Sequence, residues 1–166
     1  MRKNKKTSGF TLIELLVVIA IIALLSSVVM TSMASTRMKG RNATRMTSLK
    51  TIQTALELYF TNNNAYPTTG GAWWGVCVNG LSKTTSGATA YIPGLTPTYI
   101  SKLPTDPIND LTLWHGYIYR SDGINYKLLS IYSPEGTLNP SSPLSDPVRI
   151  TYAWQVSSSP AVRSTW

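Results

Sequence analysis

KTSGFTLIELLVVIAIIALLSSVVM, residues 6–30, sets the terms on which the remaining chain is read. Four cations (Arg2, Lys3, Lys5 and Lys6) precede the small residue Gly9, and an apolar run follows with one acid, Glu14, near its start. From Leu15 to Thr36 there is neither a charge nor a proline. An α-helix of that length spans roughly 33 Å, close to the hydrocarbon thickness of a bilayer. Ser26, Ser27, Thr31 and Ser32 are tolerated in such a helix because a hydroxyl can bond the preceding turn.

An ordinary signal peptide shares the basic start and the apolar Leu15–Leu25 core, with Met33-Ala34-Ser35 as the place to seek cleavage. Three features argue otherwise. Ser8-Gly9 puts a small-residue step before the apolar helix, Glu14 lies inside it, and the helical pattern continues beyond it. A carboxylate in lipid costs several kcal/mol unless paired, at about 3 kcal/mol on insertion scales, and the segment is expected to offer no partner of its own. Cleavage between Gly9 and Phe10 would create one, the α-amino group of Phe10. The amine of one copy would meet Glu14 of its neighbour, and the buried pair would fix the axial register of stacked helices.

Lys6-Thr7-Ser8-Gly9-Phe10-Thr11-Leu12-Ile13-Glu14 resembles the prepilin processing motif of type IV pilins and type II secretion pseudopilins. The resemblance implies cleavage after Gly9 by a prepilin peptidase, N-methylation of Phe10 and polymerisation in which Phe10 and Glu14 are the assembly residues. It further implies a pilin-like α+β fold, a long N-terminal helix packed against a small C-terminal antiparallel sheet. The partners it implies are other copies of the chain, the peptidase, an inner-membrane assembly platform and minor pilins. The corresponding division is a cytoplasmic leader 1–9, an apolar helix 10–36, an amphipathic helix 37–64 and an exported globular domain 65–166. Before assembly the protein would cross the inner membrane once; afterwards it would stand in a periplasmic or extracellular filament. Arg37, Lys39, Arg41 and Arg45 leave the orientation ambiguous by charge alone, so the cytoplasmic leader rests on the resemblance. One departure is the absence of a kinking proline around Val29–Met33, which predicts a straighter or differently melted helix in a filament.

Arg37 to about Asn62 reads as amphipathic helix, with Met46, Leu49, Ile52, Leu56 and Tyr59 on one face and Ala43 extending it backwards. Lys39, Arg41, Arg45 and Lys50 fall mostly elsewhere, as a solvated or lipid-facing surface, a nucleic-acid contact or partners for acids on neighbouring copies. Asn62-Asn63-Asn64 and Pro67 end the helix. Leu56–Thr69 resembles the helix end and Tyr-Pro segment of major pseudopilins, with Tyr66 expected to plug the gap beside the helix.

Beyond it, residues 70–89 read as a long loop carrying one short strand or a brief helix. The adjacent Trp73 and Trp74 are expected on different faces. A helical turn is expected near Thr98–Ser101, and Tyr99–Pro107 resembles the pseudopilin segment that leads into the sheet. Gly116–Ser121 and Ile124–Tyr132 flank the turn pair Asp122-Gly123 as an antiparallel hairpin, with Tyr117, Tyr119, Tyr126 and Leu128 at period-two spacing. Arg149–Val156 is a third strand. The related major pseudopilins end in an acid-rich calcium loop, whereas this chain has only Glu135 and Asp146 after Tyr132. Asp106, Asn109 and Asp110 are weak candidates for a metal, and turn or capping roles suit them better.

Removing the first nine residues, which hold four of the fifteen basic residues and none of the seven acids, lowers the net charge from +8 to +4. That charge is too local to make nucleic acid the default partner. Cys77 is the single cysteine, which excludes an intramolecular disulfide. His115 is the single histidine, and no catalytic or cofactor-binding constellation accompanies either. The expectation is a non-enzymatic filament subunit without cofactor, of a type IV pilus or a secretion pseudopilus. The alternatives are a minor pilin with an adhesive or DNA-binding tip and a monomeric helix-anchored exported binding domain.

Overall fold

The computed structural model describes residues 9–76, 83–108 and 115–166. Two compact units, Met1–Met38 and Lys39–Trp166, share one long helix, α1 (Leu12–Asn63). In the first unit the described apolar side chains of α1 are exposed, among them Leu16, Ile19, Ile22 and Leu25. The helix continues through the stretch that lacks proline. Ser27 donates to the Leu24 carbonyl at 2.8 Å, the back-bond that lets a hydroxyl sit in an apolar helix. α1 stops where short amides compete with the backbone: Asn64 takes the left-handed conformation (φ 52°) and its N–H closes on the Phe60 carbonyl at 2.8 Å.

The second unit is a four-stranded antiparallel sheet laid on the C-terminal part of α1. Its strands, β1 (Trp74–Gly75), β2 (Gly116–Ser121), β3 (Tyr126–Ile131) and β4 (Ala153–Ser157), are neighbours in that order. The β2–β3 register pairs Gly116 with Ile131 at one end and Ser121 with Tyr126 at the other. Asp122 shapes the connecting turn by accepting the N–H groups of Ile124 and Asn125 at 2.9 and 2.7 Å, and Gly123 supplies φ 94°. Tyr117, Tyr119, Tyr126, Leu128, Trp154 and Val156 form one core with Leu49, Ile52 and Leu56, as the period-two spacing requires. Tyr66 belongs to that core, wedged between Phe60 and Tyr126.

The opposite sheet face is also covered. Ile118, Leu129, Ile131 and Ala153 form a smaller cluster with Trp73 and Tyr152. Trp73 packs there while Trp74 packs on the main core, so the adjacent indoles do take opposite faces. Gly75 is required at the β1–β2 contact, where an added Cβ would lie 2.5 Å from Ile118 Cγ2 and 2.8 Å from the Tyr117 carbonyl oxygen.

Several boundaries differ from the sequence reading. Met46 and Ala43 are exposed, and the core face of α1 is instead Arg45, Leu49, Ile52, Ala55 and Leu56. An arginine on that face disguised it. β3 is shorter at both ends than Ile124–Tyr132, because the turn takes Ile124 and Asn125 and Tyr132 adopts φ 51°. β4 begins at Ala153, not Arg149, since Tyr152 and Ala153 both donate to the Arg149 carbonyl and wind that stretch into turns. The turn expected near Thr98–Ser101 closes earlier, with Tyr99 and Ile100 donating to Leu95. A short helix, α2 (Pro160–Thr165), follows β4 where no helix is expected from the sequence. Ser159 caps it by accepting the Val162 N–H, and Pro160 occupies the first turn, where its missing N–H costs nothing.

Candidate functional site

The N-terminal segment places its chemistry at a helix start. Gly9, Phe10 and Thr11 precede α1 in non-helical, exposed backbone, with Phe10 78% exposed. The Gly9–Phe10 peptide bond therefore lies outside the helix, where its backbone is accessible. Thr11 is the N-cap and Glu14 the third helical residue. Thr11 Oγ1 accepts the Glu14 N–H at 3.3 Å, while Glu14 Oε2 accepts the Thr11 N–H at 2.8 Å and its hydroxyl at 2.6 Å. This reciprocal capping box satisfies two otherwise orphaned donors and sets a carboxylate at the positive end of the helix dipole.

Glu14, expected to lack a partner within its own segment, has one three residues upstream. Thr-x-x-Glu before an apolar run is a capping signal that was available from the sequence. α1 meets the length and composition needed to cross a membrane.

Two ionic clusters organise the second unit. Arg45, wholly buried, donates to Asp106 through Nε (2.7 Å) and Nη2 (3.0 Å), and to Glu135 and Asn42 through Nη1. Arg41 makes a paired contact with Glu135, its Nε lying 2.7 Å from Oε1. Asn42 completes the set by accepting the Glu135 N–H and donating to its carbonyl. The Arg41 hydrogen bond, opposed by partial burial and reinforced by Arg45, pulls Glu135 down to about 2. Burial alone would raise Asp106, but hydrogen bonds from Arg45 and the Ile108 N–H outweigh it and hold the carboxyl below its ordinary value. Arg41 and Arg45 are thus not part of a free basic surface, which is left to Arg37, Lys39 and Lys50.

The second cluster surrounds Lys127, a buried ammonium on the outer sheet face. It donates to Asp146 (3.0 Å) and to the Arg163 and Trp166 carbonyls (2.9 and 2.6 Å), so each of its three donors has an acceptor. Burial pulls Lys127 down against the opposing influence of Asp146. Arg149 shares both Asp146 and the Trp166 oxygen. Arg120 lies 4.6 Å from the centre of the Trp166 ring. The two acids that follow Tyr132 are therefore engaged by this chain's own cations, a pattern that neither residue spacing nor local charge reveals.

Of the metal candidates, Asp106 has both oxygens bonded to Arg45 and one also to Ile108, while Asn109 and Asp110 lie outside the described residues. No cluster of three His, Cys, Asp or Glu able to hold a metal occurs among the described residues. Residues 1–8, which fall in the expected leader 1–9, and Cys77 also lie outside them. His115 is half-buried ahead of β2.

The prokaryotic N-terminal methylation motif matches residues 4–30. The chain is 32% identical over 112 residues to type II secretion system core protein G of Escherichia coli, covering 64% of this chain and 70% of that protein. It is 35% identical over 69 residues to core protein G of Vibrio cholerae, covering 42% of this chain and about half (47%) of the relative. Similarity to the type IV major pilin protein PilA of Myxococcus xanthus is 32% over 65 residues, covering 39% and 30% of the two chains. No solved structure matches the chain. With the methylation motif at its start, the helix-on-sheet fold behind it and 70% of core protein G matched, the chain belongs to the type IV pilin and type II secretion pseudopilin family, whose members are structural subunits and not enzymes.

Proposed function

We propose that the protein is a filament subunit that becomes competent for polymerisation when a prepilin peptidase cuts between Gly9 and Phe10. The single observation that carries this reading is the capped helix start. It combines an accessible Gly9–Phe10 bond, a lone carboxylate at Glu14 and a membrane-length helix whose apolar side chains before Met33 are exposed among the described residues. In a filament the cover comes from other copies, because apolar burial of that extent needs a partner surface as apolar as itself. Once cut, Phe10 presents a cationic amine, methylated in the mature subunit. The Glu14 carboxylate, held in the free subunit by Thr11, pairs with the Phe10 amine of an adjoining copy.

Before assembly the apolar helix holds the subunit in the inner membrane with the leader in the cytoplasm and the sheet domain outside. An assembly platform and minor pilins of the same system are the further partners. The matches to core protein G favour a secretion pseudopilus over a pilus. Substituting Glu14→Ala or Glu14→Leu tests the proposal: cleavage is expected to persist and filament formation to be lost. Assembly of either variant at the wild-type level would refute the pairing.

A further inference from the structure

β4 is an edge strand of the sheet, and only part of its outer side is covered. The Tyr132 N–H bonds the Tyr152 carbonyl and the Ser158 N–H bonds the Tyr126 carbonyl, so the even-numbered residues face β3 and Ala153, Gln155 and Ser157 face outward. Residues 144–146 close on the first two of these: Asp146 donates to the Ala153 carbonyl (3.2 Å) and Gln155 to the Leu144 carbonyl (2.7 Å). There the ladder stops. Leu144 turns its N–H to the Ser142 hydroxyl (3.3 Å), Pro143 has no N–H to give, and Ser142 closes a turn on the Asn139 carbonyl (3.0 Å). Ser157 faces the same way and has no backbone partner on that side among the described residues.

The interrupted ladder leaves a notch of about 240 Å³ beside Ser157. α1 contributes Gln53 to it, α2 contributes Arg163, and Pro143 and Leu144 stand where the covering segment ends. Three polar groups here are unused or underused. Gln155 lines the notch, is only 2% exposed, and its side-chain Oε1 makes no hydrogen bond, a costly state for an enclosed amide oxygen. Arg163 uses Nη2 on the Ser145 carbonyl (3.1 Å) and meets no carboxylate among the described residues, since Asp146 is engaged by Lys127 and Arg149. The outward N–H of Ser157 is the third.

These groups specify the occupant. An amide oxygen and an outward strand N–H side by side call for a peptide backbone, which presents donors and acceptors in alternation along a strand edge. The volume falls below the roughly 300–1,000 Å³ of small-molecule clefts, which suits the end of a chain. A chain lying antiparallel to β4 enters past Ser157, runs toward Leu144 and must stop there. Its last carboxylate then falls beside Arg163, whose guanidinium already reaches the neighbouring Ser145. We propose that this notch binds the C-terminal end of an extended polypeptide of a partner protein, which continues the β4 ladder with its backbone and sets its terminal carboxylate on Arg163. The proposal is independent of the filament reading above.

The test passes hexapeptides of mixed sequence, half ending in a free carboxylate and half in a carboxamide, over the full chain immobilised in detergent, and counts the retained peptides by mass spectrometry. Free carboxylates are expected to be retained at least about tenfold over carboxamides, the preference a charge-assisted hydrogen bond to Arg163 supplies. Arg163→Gln is expected to abolish that preference. Lys102→Gln, which removes the same charge from an exposed position, is expected to keep it. Ser157→Pro takes away the outward N–H without touching the β3 ladder, and is expected to lower retention of both kinds of peptide. Equal retention of the two ends, or retention of neither, overturns the proposal. So does a preference that survives Arg163→Gln or falls equally with Lys102→Gln, and so does full retention by Ser157→Pro.

Discussion

The guanidinium of Arg45 grips the carboxylate of Asp106 at two points, 2.7 and 3.0 Å, with neither side chain reached by solvent. The pair joins α1 to the loop ahead of β2, and Glu135 adds the loop after β3 to the same guanidinium. A buried pair of this kind is weak in net terms, but removing one partner strands the other. Arg45→Met is expected to destabilise the domain by about 3–5 kcal/mol, and Arg45→Met with Asp106→Leu to recover much of that loss. Urea melts of the full chain in detergent measure both.

Glu135 makes the same junction sensitive to acid. Its carboxyl is pulled from 4.5 to about 2, chiefly by Arg41. A depressed carboxyl stabilises the fold fully above its unfolded value and loses that contribution as pH falls toward the folded one. The junction should therefore weaken between about pH 4.5 and pH 2, and Glu135→Gln should flatten that part of a stability-against-pH profile. An unchanged profile would mean the Arg41–Glu135 contact contributes nothing in solution.

Gly75 is a purely steric test. A methyl at this position would meet Ile118 and the Tyr117 carbonyl oxygen inside van der Waals contact. Gly75→Ala should cost about 1–3 kcal/mol, the range for forcing a group into a packed site. Thermal unfolding by circular dichroism checks it.

Lys127 holds the C-terminal segment. With Lys127→Met, Asp146 retains Arg149, but the Arg163 carbonyl loses its Lys127 partner and the Trp166 oxygen keeps only Arg149. Faster amide exchange is expected across residues 160–166 than in β2 or β3, where the ladder bonds remain. Equal acceleration in both regions would show that the ammonium supports the whole sheet and not its covering segment.

Much of this architecture is legible from local pattern. The charge-free run after Glu14, the asparagines before Pro67 and the alternating tyrosines of β2 and β3 each report a periodicity or a stop signal that the backbone obeys. What escaped was long-range pairing. Arg45 reads as a surface cation until Asp106, 61 positions away, is seen to meet it. Lys127 likewise sits in the outward-facing register of a strand whose outer face is solvated only if nothing folds back over it. Thr11 is a different case, since its capping relation to Glu14 is local and could have been read beforehand.

Mass spectrometry of the subunit taken from purified filaments tests the central claim most directly. A chain that begins at a methylated Phe10, lacking residues 1–9, is the predicted result. Recovery of filament subunits that still carry the leader would contradict it.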